Sequence, residues 1–193
     1  LMVSLAKQGR RVVRLKGGDP LIFARAGEEL AACRDAGIAV EVVPGITAAQ
    51  GAAARLALPL TGRGHARRLQ FITGHAPDGK LPDDIDWHAL ADPFTTTAIY
   101  MSARTLAALV EKAMGAGLDP RTPAIAIARA TRPDQQAVAA AVDDLRAKLD
   151  VANLSWPPNG SWWRLEASVP AQVGASLFAP ANILVALTCS DML

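Results

Sequence analysis

The run Arg11-Val-Val-Arg-Leu-Lys-Gly-Gly-Asp-Pro20 has the residue types of a ligand-binding turn at the end of a strand. Gly17 and Gly18 carry no Cβ, so their backbone groups can approach a bound molecule closely, and Asp19 offers a carboxylate at the rim. Open α/β sheets take their ligands at the carboxyl ends of strands. The same spacing also suits a plain tight turn with Asp19 as a helix cap, and by itself it favours that reading. His65 and His75 invite thoughts of base chemistry, but a lone histidine is more often structural or solvated, and neither is assigned a role. Cys33 and Cys189 lie far apart without metal-ligand spacing, so buried thiols are expected rather than a zinc site or a disulfide framework, and no metal is assigned.

The elements that position these residues alternate. Leu1, Met2, Leu5 and Ala6 form a short helical stripe stopped at Gly9, and Arg11 to Lys16 reads as a strand. A helix from about Glu28 to Ala36 ends at Gly37. A strand through Val40, Val42 and Val43 breaks at Pro44-Gly45 before an alanine-rich helix near Thr47. Strands follow at Leu69 to Thr73, Thr96 to Met101 and Ala124 to Ala128, with helices around Trp87 and over Thr105 to Met114. This rhythm predicts α/β layering. With 193 residues, 51% of them hydrophobic, the chain can bury a sizeable core. A formal charge of +2 is too small to argue for nucleic acid, and no such partner is expected, although local arginine clusters suit an acidic small molecule. No apolar run approaches the roughly 18 residues of a membrane span, and Leu1 to Lys7 lacks a signal peptide's basic start and cleavage site, so no membrane partner and a cytoplasmic location are expected.

A lobe boundary is expected at Pro59 to Arg63, where an apolar helix yields to Pro, Gly and basic residues. That divides the chain into residues 1–60, 61–155 and an atypical tail, 156–193. From Val151 onward only Arg164, Glu166 and Asp191 are charged, yet Trp156, Trp162 and Trp163 all lie there. Two expectations stand for this tail. Either it is the product of a reading-frame change, or it is a divergent C-terminus in which Ala181 to Leu187 supplies a strand after a longer loop.

The Gly17-Gly-Asp-Pro20 run, with Leu21-Ile-Phe, Arg25, Gly27, Glu28 and Glu29 after it, resembles the signature of the tetrapyrrole methylases, in particular the uroporphyrinogen-III C-methyltransferase branch. Val42-Val-Pro-Gly-Ile-Thr-Ala48, Leu58-Pro-Leu-Thr61, Phe71-Ile-Thr-Gly-His75, Tyr100-Met101 and Arg129-Ala-Thr-Arg-Pro-Asp-Gln135 extend the resemblance in the same order, from about Leu1 to Ser155. It implies a two-lobed α/β fold, each lobe an α/β sandwich. It also implies S-adenosylmethionine bound between the lobes at positions matching Gly17, Gly18, Asp19, Ile22, Thr47, Ala48, Met101 and Ala130. The family's opening strand and Gly-Pro-Gly-Asp loop have no counterpart, so they and its proposed catalytic Asp and Lys are expected before Leu1. The first lobe is then incomplete, and no catalytic residue is assigned. Two departures are expected to crowd the cofactor: Phe23-Ala-Arg-Ala26 for Phe-Gly-Arg-Gly, and Met101-Ser102 for Met-Gly.

The implied reaction moves a methyl group to pyrrole carbons of uroporphyrinogen III, giving precorrin-2 for siroheme and cobalamin synthesis. The implied assembly in intact relatives is a homodimer. A carboxylate-rich substrate suits arginine forks. Arg63 matches a His-Arg pair in relatives, with Gly62 in the histidine's place, and is the substrate-binding candidate. Arg67, Arg68, Arg104, Arg129 and Arg132 follow it, with about half of the six expected to be only solvated charges. The neighbouring readings are a methylase of a later precorrin and a relative acting on RNA or a translation factor. A different class is a non-catalytic remnant, since a chain without one wall of the pocket is expected to bind the methyl donor weakly or not at all.

Overall fold

The computed structural model describes residues 1–151 and 184–188. The chain divides into two compact units between Ala48 and Ala49, upstream of the Pro59 to Arg63 boundary read from composition.

The first unit, Leu1–Ala48, carries helices α1 (Met2–Lys7) and α2 (Ala26–Asp35). Glu28 and Glu29 in the first turn of α2 and Arg34 in its last complement the helix dipole. The stretches read as strands, Arg11 to Lys16 and Val40 to Val43, form no ladder. Their backbones find no strand partner among the described residues, and a lone extended segment cannot make sheet hydrogen bonds. Side chains hold the first of them instead. Glu29 accepts from Arg14 Nε at 3.0 Å and pairs with Lys16 Nζ at 2.6 Å. Val13, Leu15, Val40, Val42, Val43 and Ile46 all remain exposed.

The second unit holds every strand of the described residues. Its elements are α3 (Ala48–Arg55, entering from the first unit's last residue), β1 (Arg68–Thr73), α4 (Trp87–Ala91), β2 (Thr95–Tyr100), α5 (Leu106–Gly115), β3 (Pro123–Ala128), β4 (Gln136–Ala141), α6 (Val142–Val151) and β5 (Leu184–Thr188). The sheet order is β1-β2-β5-β3-β4, parallel except for the β3–β4 hairpin. β2 is buried along its whole length, as a strand flanked on both edges in a covered parallel sheet should be. Threonines Thr95, Thr96 and Thr97 open it and β-branched Ile99 lies near its end, which suits a strand.

Leu106, Leu109, Val110 and Ala113 form the buried stripe of α5 at helical spacing. With Leu90, Ile99, Ala124, Val142 and Leu145 they make the core. Asp86 starts α4 by accepting from Ala89 N–H at 3.0 Å. β4 and α6 had no place in the sequence reading, because Gln136-Ala-Val-Ala-Ala-Ala141 alternates no apolar and polar residues and runs straight into the helix.

Leu184–Thr188 overlaps the stretch Ala181 to Leu187 read as a strand, starting three residues later and ending one later, and it occupies the centre of the sheet. Thr97 to Tyr100 pair with it on one edge and Ala124 to Ala128 on the other. Trp156, Trp162, Trp163, Cys189 and the expected frame change lie outside the described residues. Among the described residues no helix is long and apolar enough to cross a membrane.

Candidate functional site

In the first unit the Gly-Gly-Asp turn is closed by its own carboxylate. Asp19 Oδ1 accepts from Leu21 N–H at 2.8 Å, and Oδ2 accepts from Gly45 N–H at 3.0 Å, 26 residues away in sequence. Asp19 is therefore a backbone staple rather than a helix cap, since α2 begins only at Ala26. Gly18 sits at φ +75°, a region open to glycine at little cost. It packs along Ile46 to Ala48, with the Ile46 oxygen and the Thr47 Cα within 3.8 Å of where a side chain would begin. Ile22 N–H donates to Asp19 O at 3.3 Å, and Thr47 is buried at the start of α3. The turn thus brings together Gly17, Gly18, Asp19, Ile22, Thr47 and Ala48. Gly17 and Gly18 themselves are exposed, and neither amide has an internal partner among the described residues. Among the family departures, Ala24 and Ala26 keep ordinary backbone, while Phe23 and Arg25 take the left-handed region at φ 50° and 55°.

The N–H of Gly45 and then that of Leu21 hold the Asp19 carboxyl below its ordinary value. With a lowered folded pKa, the staple is fully formed above the unfolded value of about 4 and is lost as pH falls through the lowered one. The Gly45 amide resonance should therefore stay constant from neutral pH to about pH 4 and move only below it. A midpoint at or above the ordinary carboxylate value would show that the staple does not form.

In the second unit Met101 and Ala130 follow the carboxyl ends of β2 and β3, and both are half-buried. Met101, Arg129 and Thr131 stand at φ 57°, 54° and 70°, where non-glycine residues are uncommon and cluster at functional sites. Ala49 N–H, in the first turn of α3, donates to Tyr100 Oη at 3.2 Å, so this helix start lies against the end of β2. Phe71 braces the Tyr100 ring edge-on, with centroids 5.9 Å apart. The Arg129 to Gln135 loop closes on itself. Arg129, buried, pairs with Asp134 at 2.9 Å, Arg132 approaches the same carboxylate at 3.6 Å, and Gln135 Oε1 accepts from Thr131 N–H at 2.8 Å.

The arginine candidates separate accordingly. Arg68 pairs with Asp92 and donates to Thr95 Oγ1 at 3.1 Å, and Arg67 stacks over Phe94 at 4.9 Å. Arg63 and Arg104 are exposed and make no ion pair among the described residues, which leaves them open to an anion. Among the described residues no group of His, Cys, Asp and Glu could hold a metal ion. Sequence reading passed over two groups here: the Tyr100 hydroxyl, whose role depends on a helix 51 residues away, and Ser102, noticed only as a departure from the family pattern.

Residues 1–146 match the family described as Tetrapyrrole (Corrin/Porphyrin) Methylases. The chain is 54% identical over 137 residues to Siroheme synthase 1 of Yersinia pseudotuberculosis, covering 70% of this chain and 28% of that protein. It is 45% identical over 157 residues to the chloroplastic S-adenosyl-L-methionine-dependent uroporphyrinogen III methyltransferase of Arabidopsis thaliana, covering 81% and 42%. It thus spans less than half the length of these two curated relatives. Among solved structures, the uroporphyrin-III C-methyl transferase of Thermus thermophilus complexed with S-adenyl homocysteine aligns with a TM-score of 0.65 at 31% identity, covering 76% of this chain and 63% of that one. With a family model matched over most of its length and a fold shared with a family member, the chain belongs to the tetrapyrrole methylases.

Proposed function

We propose that the protein takes part in S-adenosylmethionine-dependent C-methylation of uroporphyrinogen III, on the route to siroheme and cobalamin. The observation that carries the reading is the stapled turn. Asp19 locks Gly17 and Gly18 in place while their amides stay open, so donors are fixed in advance of any ligand. The names of the relatives support the choice of donor and acceptor. S-adenosylmethionine, when bound, supplies an electrophilic methyl group. An electron-rich pyrrole carbon would take up that group, with S-adenosylhomocysteine as the leaving product and a proton lost from the ring system. Arg63 binds a substrate carboxylate in this reading, and Gly17, Gly18, Asp19, Ile22, Thr47, Ala48, Met101 and Ala130 hold the donor. Holding donor and acceptor in one geometry supplies much of the rate without a metal. A homodimer in the cytoplasm, with no nucleic-acid or membrane partner, belongs to the same proposal.

With the family's opening strand and Gly-Pro-Gly-Asp loop supplied upstream of Leu1, calorimetric titration with S-adenosylhomocysteine is expected to show saturable binding, and incubation with S-adenosylmethionine and uroporphyrinogen III to add methyl groups detectable by mass spectrometry. Absence of both would leave a non-catalytic remnant. Methylation of a later precorrin but not of uroporphyrinogen III would reassign the substrate.

A further inference from the structure

The turn that carries Arg63 is built on a ring packed against a glycine. Gly62 N–H donates to Ala66 O at 2.8 Å, and His65 N–H donates to Gly62 O at 3.4 Å, so Gly62 to His65 forms a tight turn with Arg63 and Gly64 at its tip. Arg63 and Gly64 are exposed, His65 is half-buried and Ala66 is buried. The imidazole of His65 lies over Gly62. A Cβ on Gly62 would stand 2.3 Å from His65 Nε2, 2.4 Å from Cε1 and 3.0 Å from Cδ2, so the ring fills the space where a larger residue at 62 would begin its side chain.

Arg63 stands between two glycines, and glycine loses more backbone freedom on ordering than any other residue. An arginine on such a loop is a poor receptor for an anion unless the loop is held beforehand, because binding would otherwise bear the cost of ordering it. The two glycines differ in what surrounds them. Neither has positive φ, and a Cβ on Gly64 meets nothing within 4 Å, so only Gly62 is required by what packs against it.

Resting on the reading of Arg63 as a ligand for a substrate carboxylate, we propose that His65 is a positioning residue for substrate recognition. Its ring, seated on Gly62, holds the turn that presents the Arg63 guanidinium and touches neither the methyl donor nor the acceptor itself.

The test is steady-state kinetics of the chain with the family's opening strand and Gly-Pro-Gly-Asp loop supplied upstream of Leu1. His65→Ala and Gly62→Ala should each raise KM for uroporphyrinogen III about threefold to tenfold, with kcat and the affinity for S-adenosylhomocysteine within about twofold of wild type. A histidine ring can swing aside on this exposed turn, so the unfolding midpoint of Gly62→Ala should stay near that of wild type. His65→Phe keeps a flat ring on Gly62 and should hold the wild-type KM. Gly64→Ala should leave KM unchanged or lower it, since it meets nothing and stiffens the loop. In an Arg63→Ala background neither His65→Ala nor Gly62→Ala should raise KM further, because both act through that side chain. The inference falls if His65→Phe loses as much as His65→Ala, which would make the imidazole a direct ligand. It falls equally if His65→Ala and Gly62→Ala leave KM unchanged while Arg63→Ala raises it. A wild-type KM in Arg63→Ala would remove the substrate role of Arg63 and the purpose of the turn with it. A wild-type chain that binds S-adenosylhomocysteine but leaves uroporphyrinogen III unmethylated would overturn the substrate reading itself.

Discussion

Gly45→Ala is expected to lower affinity for S-adenosylhomocysteine by more than about 100-fold, the largest binding effect of any single substitution in the first unit. A Cβ on Gly45 would stand 2.3 Å from the Gly18 oxygen, 3.1 Å from its carbonyl carbon and 3.3 Å from the Asp19 Cα. All three are backbone atoms that no rotamer change can move, so the two loops must part. Their separation also breaks the Gly45 N–H bond to Asp19 and leaves the Gly-Gly-Asp turn without its long-range anchor. Gly27→Ala is the control. A Cβ there meets nothing within 4 Å, and within α2 alanine is worth about 0.5–1 kcal/mol over glycine, so binding should persist and stability hold or rise. Calorimetric titration of both variants decides the matter, and wild-type affinity in Gly45→Ala would show that the turn does not hold the ligand.

Leu109→Ala should cost about 2–5 kcal/mol of stability, read as a shift of the urea midpoint at unchanged slope. Leu109 is fully buried on α5, in a core shared with Leu90, Ile99, Leu106, Val142 and Leu145 drawn from helices and strands on both sides of it in sequence. Its removal opens a cavity between α5 and the sheet that neighbouring elements, pinned by their own hydrogen bonds, cannot close. Glu111→Ala, two residues on and exposed, should change stability by no more than about 0.5 kcal/mol. A loss below about 1 kcal/mol for Leu109→Ala would mean that α5 is not seated on the sheet as described.

Periodicity and turn chemistry alone determined a good deal. The apolar spacing of Leu106, Leu109, Val110 and Met114 specifies α5, and Leu69 to Thr73, Thr96 to Met101 and Ala124 to Ala128 mark three strands to within a residue of their observed ends, because apolar and β-branched runs bounded by turn residues carry local information. The family was legible from Gly17-Gly-Asp-Pro20 and the motifs after it. Pairing was not legible. Arg11 to Lys16 and Val40 to Val43 have strand composition, but a strand exists only where a partner meets its backbone, and among the described residues none does. Nor does local sequence say that Leu184–Thr188 enters between β2 and β3, a pairing made across more than 50 residues. The site follows the same division. Residue types pointed to Asp19 and the family resemblance to Met101, yet only the folded chain turned Asp19 into a staple on Gly45, set Met101 in a left-handed conformation and buried Ser102 Oγ beside Gly74. The staple and the Ser102–Gly74 approach join segments distant in sequence, and short-range spacing carries no record of such contacts.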